Sequence, residues 1–398
     1  MKQTKQLRLV NYAAILSIFL FAGAGSFMNA AVQTMMEAWP QLSPTTVRMV
    51  TSLPSLVALP VTIWTGTMAG KKLSFRFCSI VGTALIFGAG AAPFFFPSSW
   101  ALVLVFRALV GVGVGFIAVR NSIVLRSVPE EKQAAIIGYG SALFNAGGML
   151  AGPIVGLLVT LGWRYAFLYD LLAALPLVII FLFLREPEKE EAAPLASLSP
   201  KSPEEKKPLD KRLIAYVLLE FIGTMALYPL LSGMSSYMSA SQVGSPFLAG
   251  LAVSTYNLAG VLIHMVLDPL VKKLGRMALP VVHLVFALGM ALVFFTANLP
   301  GIFLGAAICG MTFNTLMSIF QLYNGRVGTP SQATLVSTLL IAALGLGNFV
   351  SVYYISACYA LFRLSSDTKS TYLGSMLIYL ALGVFCLVKN LAPEKEGK

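Results

Sequence analysis

Residues 100–122 read WALVLVFRALVGVGVGFIAVRNS, and this stretch decides the fold. Its only charges are Arg107 and, near its end, Arg120. It has no strict alternation and is far longer than a membrane β-strand of about 10 residues. A bilayer core about 30 Å thick needs roughly 20 apolar residues per helix, and a helix is the other way to satisfy a backbone in lipid. Similar runs lie to either side, at 10–36, 47–69, 77–96, 134–160 and 164–184. Six more follow at 213–236, 246–268, 277–297, 300–323, 332–360 and 371–388. The expected fold is an all-α polytopic membrane protein with 12 transmembrane helices. Composition agrees: 57% of the 398 residues are hydrophobic and 11% are charged, against about 25% charged in a soluble domain. A soluble enzyme, a disordered chain and a secreted disulfide scaffold are all excluded.

The net charge of +12 would suggest nucleic acid only if the basic residues were clustered for it. They sit between the apolar runs instead, so no nucleic-acid partner is expected. With the N-terminus inside, 23 of the 28 Lys and Arg face one side, among them Lys2, Lys5, Arg8, Lys71, Lys72, Arg76, Arg120, Arg126, Lys272, Lys273 and Arg276. Arg48, Arg164, Arg363 and Lys369 fall on the other side, and Arg107 lies within a span. The positive-inside rule then places both termini in the cytoplasm, in a multi-pass protein of the cell inner (cytoplasmic) membrane. The N-terminal apolar run is too long for a signal-peptide core and reads as a retained first span. Cys78, Cys309, Cys358 and Cys386 lie in apolar windows without metal-ligand spacing, so neither a metal nor a cofactor is expected.

Residues 187–211 hold five prolines and eleven charged residues, the composition of a solvated linker. They divide the chain into a six-helix bundle at 1–186, the linker at 187–211 and a second bundle at 212–398. Lys71-Lys72-Leu73 after the second span and Lys272-Lys273-Leu274 after the eighth suggest that the halves are duplicates.

Four local patterns carry a family resemblance. Arg107 followed by Gly111, Gly113 and Gly115 resembles motif B of the major facilitator superfamily. Gly148, Gly152, Pro153 and Gly156 resemble its motif C, the antiporter motif, with Leu157 where the last glycine would stand. Gly162-Trp163-Arg164 followed by Phe167 is a third shared feature. The loop after the second span is a poor motif A: Gly66 and Met68 fit, but Gly70 replaces the acid and Leu73 the second glycine. The second copy keeps Gly275 and Arg276 but has Lys272 in the acid's place. The resemblance implies two pseudo-symmetric bundles, with the first, fourth, seventh and tenth helices lining a central path. It further implies that charge pairing in the motif A loop is replaced here by other gating contacts.

Polar residues three or four apart share a helix face, and such stripes occur on those four spans. The first carries Ser26, Asn29, Gln33 and Glu37; the seventh carries Glu220, Thr224, Tyr228, Ser232 and Ser235. The tenth carries Asn314, Ser318, Gln321 and Asn324, and the fourth has Arg107 and Asn121. Asn29, Gln33, Arg107, Thr224, Tyr228, Asn257, Asn314 and Gln321 are therefore candidates for contact with a solute. The alternative is that they only bond neighbouring helices.

A charge at the bilayer centre costs roughly 2.5–3.5 kcal/mol even on the lower scales, so each one asks for a partner or a role. Arg107 cannot shed its proton; it is expected to bind an anionic group or to pair with an acid, and Asp170 lies at a similar depth. The resemblance associates Arg107 with proton coupling. Glu220, heading the seventh-span stripe, is the first candidate for proton coupling, with Arg107 and Asp170 beside it; a snorkelling acid is the alternative. Glu37, Asp268 and the two histidines, His264 and His283, lie nearer span ends. Gly148, Gly152 and Gly156 permit close backbone packing, and Pro153 can bend the fifth helix.

The leading expectation is a monomeric secondary transporter that moves a small organic solute by alternating access, preferably proton-coupled efflux. Proton- or solute-coupled uptake and organic anion exchange are the alternatives within this class. A transport-silent membrane sensor or scaffold is the alternative outside it. No HExxH, GxSxG or P-loop pattern suggests an enzyme.

Overall fold

A computed structural model describes residues 2–187, 210–327, 330–389 and 391, with some side chains inside those ranges left out. Residues 188–209 of the expected linker and the Asp268 side chain therefore lie outside what is described. Among the described residues there is no strand, and 11 helices are long and apolar enough to cross a membrane. A bent pair, Val10–Leu20 and Ala24–Ala38, meets at 47° and brings the number to 12. The chain divides into two compact units. The first holds the six N-terminal spans together with Ser245–Leu251, and the second holds the remaining C-terminal spans.

In the first unit the spans are the bent pair, Pro44–Met68, Phe75–Phe95, Trp100–Ser127, Glu131–Leu161 and Trp163–Phe183. The second to fourth begin on serine caps: Ser43, Ser74 and Ser99 accept from the backbone N–H of Thr46, Phe77 and Leu102. Each cap satisfies one of the donors that a helix start leaves free. Alternate glycines of the fourth span serve two neighbours. A Cβ on Gly111 would lie 2.5 Å from the Pro54 carbonyl oxygen, and one on Gly115 2.6 Å from Val61, so this face meets the second span. A Cβ on Gly113 would lie 2.6 Å from the Gly82 oxygen on the third span. The motif B glycines are thus places where backbones touch and only hydrogen fits.

The second unit repeats this device. Its spans are Lys211–Ser232, the part of Pro246–Met265 that follows Leu251, Pro269–Thr296, Leu299–Asn324, Leu335–Phe362 and Asp367–Lys389. A Cβ on Gly305 would meet the Gly289 oxygen at 2.6 Å, pairing tenth and ninth spans as Gly113 and Gly82 pair fourth and third. Gly310 lies against the Tyr256 carbonyl on the eighth span, as Gly111 lies against Pro54 on the second.

The two Lys-Lys-Leu tripeptides are not in structural register. Gly70, with φ +76, precedes the first, whose amides fold back on the Met68 carbonyl. Gly275, with φ +53, follows the second, which ends the short helix Leu267–Leu274. Two span boundaries also move. The second span starts at Pro44, earlier than expected, and folds Arg48 into the bundle with 0% exposure. The fourth span, expected to end at 122, runs on to Ser127, so Arg120 stands seven residues before its end.

Candidate functional site

Two buried acids organise the interior, one in each unit. In the first unit the leading span stops being α-helical after Leu20 and continues as a 3-10 helix over Ala24–Ala31. A break strands backbone carbonyls inside the bundle. Arg107 collects them: its Nη2 donates to the oxygens of Ala24 at 3.1 Å and Gly25 at 2.8 Å. Its Nε donates to Val50 O at 2.8 Å, and its Nη1 faces Asp170 Oδ2 at 3.5 Å. Arg107 and Asp170 are both 0% exposed. Asp170 lies on the 3-10 stretch Trp163–Ala173 that opens the sixth span. Gly90 of the third span leaves the room it needs, since a Cβ there would come within 2.5 Å of Asp170 Oδ2. The guanidinium therefore ties the first, second and sixth spans together, with all of its nitrogens engaged.

Around the same break, Tyr169 donates to Gly147 O at 3.0 Å, and Gly147 packs against the Leu20 carbonyl. Gly147 makes this close approach. Gly152 and Gly156 do pack tightly, against the backbone at Gly250 and at Pro246 and Phe247, within the stretch that belongs to the first unit. Asn29 is buried with Oδ1 unbonded, while Gln33 donates to the exposed Glu37 at 2.8 Å.

In the second unit Glu220 is 2% exposed. It accepts from a neutral hydroxyl: Thr224 Oγ1 donates to Oε1 at 3.1 Å. No cation stands within ion-pair distance of it among the described residues. Tyr256 and Tyr379 lie within Coulombic range of Glu220. Tyr379 donates to Gly223 O at 2.9 Å and stacks on Phe286 at 3.6 Å, which fixes its ring. Tyr228 is half-buried and lies within range of Tyr256. Tyr256 and Tyr379 thus bring buried hydroxyl-bearing rings into the neighbourhood of the acid.

The remaining candidates are spread through this unit. Asn257 and Asn314 donate to Val253 and Gly310 of their own helices, and Gly260 makes room for Asn314. Gln321 is exposed and accepts from Ser337 at 3.0 Å; Ser337 in turn accepts from the buried Asn324 at 2.9 Å. His283 is buried, with Nδ1 on Leu279 O at 2.7 Å and Nε2 unbonded. Tyr256 and Tyr379 are the residues that sequence reasoning passed over, because lone tyrosines in apolar runs look like packing. The available signal was their hydroxyls, which seek partners when buried.

A bilayer-spanning helical body whose interior holds one clamped and one cation-free acid defines a membrane transport scaffold. Residues 13–352 match the Major Facilitator Superfamily profile, and the chain belongs to that family. It is 29% identical over 178 residues to a hexuronate transporter of Bacillus subtilis (strain 168), a match covering 42% of this chain and 41% of that protein. It is also 29% identical over 188 residues to the proton myo-inositol cotransporter hmit-1.2 of Caenorhabditis elegans, covering 45% and 30%. The aligned stretch thus spans less than half of each relative. Among solved structures, a point mutant of the nucleoside transporter NupG superposes with a TM-score of 0.76 at 14% identity, covering 96% of this chain and 99% of that one. A D-xylose-proton symporter gives 0.71 at 16% identity, covering 98% of each. At such identities the likeness concerns the fold.

Proposed function

We propose that the protein carries a small polyhydroxylated solute, in symport with a proton, by alternating access between its two six-helix halves. The observation that supports this most is Glu220: a carboxyl 2% exposed within a span, bonded by a neutral hydroxyl. Intramembrane acids without a fixed counter-charge are the usual proton relays. The relatives named for hexuronate and for proton–myo-inositol cotransport, and the xylose–proton symporter of like fold, favour a hydroxylated solute over a greasy one. In this reading Glu220 takes and releases the proton, while Thr224, Tyr228 and Tyr256 present hydroxyls. Asn29, Gln33, Asn257, Asn314 and Gln321 line the path. Arg107 and Asp170 hold the first span's break. The protein acts as a monomer in the cytoplasmic membrane with both termini inside.

Proton-coupled efflux is the second reading, favoured by the Gly148, Gly152, Pro153 and Gly156 pattern. The test is purified protein in liposomes loaded with a pH-sensitive dye, challenged with pentoses, hexoses, hexuronates, inositols and nucleosides. Solute-induced proton entry alongside the solute supports symport, and opposed fluxes support antiport. Proton flux unaffected by every one of these solutes would sink both readings.

A further inference from the structure

Two arginines of the fourth span sit inside the first unit in opposite circumstances. Arg107 has every nitrogen engaged. Arg120 does not. It starts the terminal helical segment Arg120–Ser127, after a 3-10 turn at Ile117–Val119 that redirects the chain. Twenty residues from Trp100 put it about 30 Å along the helix, within a span that continues to Ser127.

The Arg120 guanidinium lies over the Phe19 ring, 5.4 Å from its centroid. Phe19 is 3% exposed and is seated against the fifth span at Gly140, where a Cβ would fall 2.7 Å from the ring. Three spans therefore fix the guanidinium. Its Nε is closed to solvent and unbonded, yet the residue keeps partial exposure, so its outer edge remains reachable. Among the described residues no carboxylate stands within ion-pair distance of it.

An arginine stays charged. A ring face attracts the cation but makes no hydrogen bond to the unbonded Nε or to the outer edge of the guanidinium. An oxyanion would supply those acceptors, and the planar fork of arginine matches it in shape.

We infer that Arg120, held over Phe19, receives the carboxylate of the carried solute, which makes the substrate an acidic, hydroxylated small molecule such as a sugar acid. This rests on the transport reading above and names its substrate class. A lipid phosphate would offer the same oxyanion chemistry, and the experiment separates the two sources.

The full chain is reconstituted in phosphatidylcholine liposomes with an imposed pH gradient and given D-glucuronate or D-glucose. Thermal melting in detergent with each sugar is recorded in parallel. Wild type should accumulate glucuronate about 10-fold or more over glucose, with glucuronate raising the melting temperature. Arg120→Gln should lose about 10-fold of that accumulation and the melting shift, the scale of one lost charged hydrogen bond, and Arg120→Lys should keep part of both. An unliganded melting temperature equal to that of wild type excludes misfolding of Arg120→Gln; where it is lower, partial rescue by Arg120→Lys decides. Wild type moving glucose and not glucuronate would overturn the inference while leaving the transport reading intact. So would Arg120→Gln behaving as wild type, or a defect that arises only when anionic lipid is added. Glucuronate stabilising wild type but not Arg120→Gln, without transport of either sugar, would support the site and overturn the transport reading. Neither transport nor stabilisation would overturn both.

Discussion

Asp170 and Glu220 are the same kind of group in the same kind of place, and their surroundings differ in one respect. Both are buried within spans, at 0% and 2% exposure. Asp170 faces a guanidinium that is itself bound to three backbone carbonyls. Glu220 accepts from Thr224, with Tyr256 and Tyr379 in its neighbourhood. A buried acid against a fixed cation is an architectural element, because removing either partner leaves the other uncompensated. A buried acid among hydroxyls can change its protonation without breaking the bundle. The first unit therefore uses its charges to hold a broken helix, and in the proposed reading the second keeps an acid free to take up a proton.

The largest effect that sharpens this contrast is Arg107→Ala. It strands Asp170 and frees three carbonyls, so a loss of about 3–5 kcal/mol is expected. Thermal unfolding in detergent should show little folded protein, whereas Glu220→Gln should melt near wild type. Equal melting of the two variants would erase the distinction. Next is a pair of glycine substitutions. Gly90→Ala drives a methyl into Asp170, with 2.5 Å to Oδ2, and should cost about 1–3 kcal/mol as overpacking does. Gly223→Ala, beside Glu220, meets the Tyr379 hydroxyl at 3.3 Å. It should cost about 1 kcal/mol or less, since a small shift suffices. The same unfolding assay ranks them, and a reversed order would break the account of a rigid first-unit clamp.

The smallest effect concerns a third acid, outside the spans. Asp210 caps the seventh span by accepting from Arg212 N at 2.8 Å, and hydrogen bonds from the Arg212 side chain hold its carboxyl below the usual carboxylate range. Its stabilisation is then fully present above the unfolded-state value of about 3.9 and fades as pH falls through the lower folded value. Asp210→Ala should lower stability by roughly 1 kcal/mol at neutral pH. Melting temperatures of variant and wild type should converge below about pH 4.

Much of this was legible in the sequence, for reasons that differ by residue. The twelve spans follow from the length of apolar runs, which lipid enforces. Arg107 and Asp170 lie at matching depths, and charges at matching depth in one bundle have few partners to choose from. Hidden were the breaks. Nothing in Trp163–Ala173 marks a 3-10 stretch, since neither proline nor glycine occurs within it. The irregular backbone is held by tertiary partners, Arg107 above all. The Lys-Lys-Leu echo is no guide to local structure, because its two copies take different backbone conformations. A device used in both units lies in scattered glycines, Gly82 with Gly113 and Gly289 with Gly305, which are far apart in sequence and meet only in the fold.

The most direct test of the contrast is a side-by-side reconstitution of Glu220→Gln and Asp170→Asn at equal amounts of folded protein. Gradient-driven accumulation is measured together with solute counterflow at equal pH. The account predicts that Glu220→Gln abolishes accumulation and keeps counterflow, while Asp170→Asn lowers both in proportion. Full accumulation by Glu220→Gln, or its selective loss in Asp170→Asn, would contradict it.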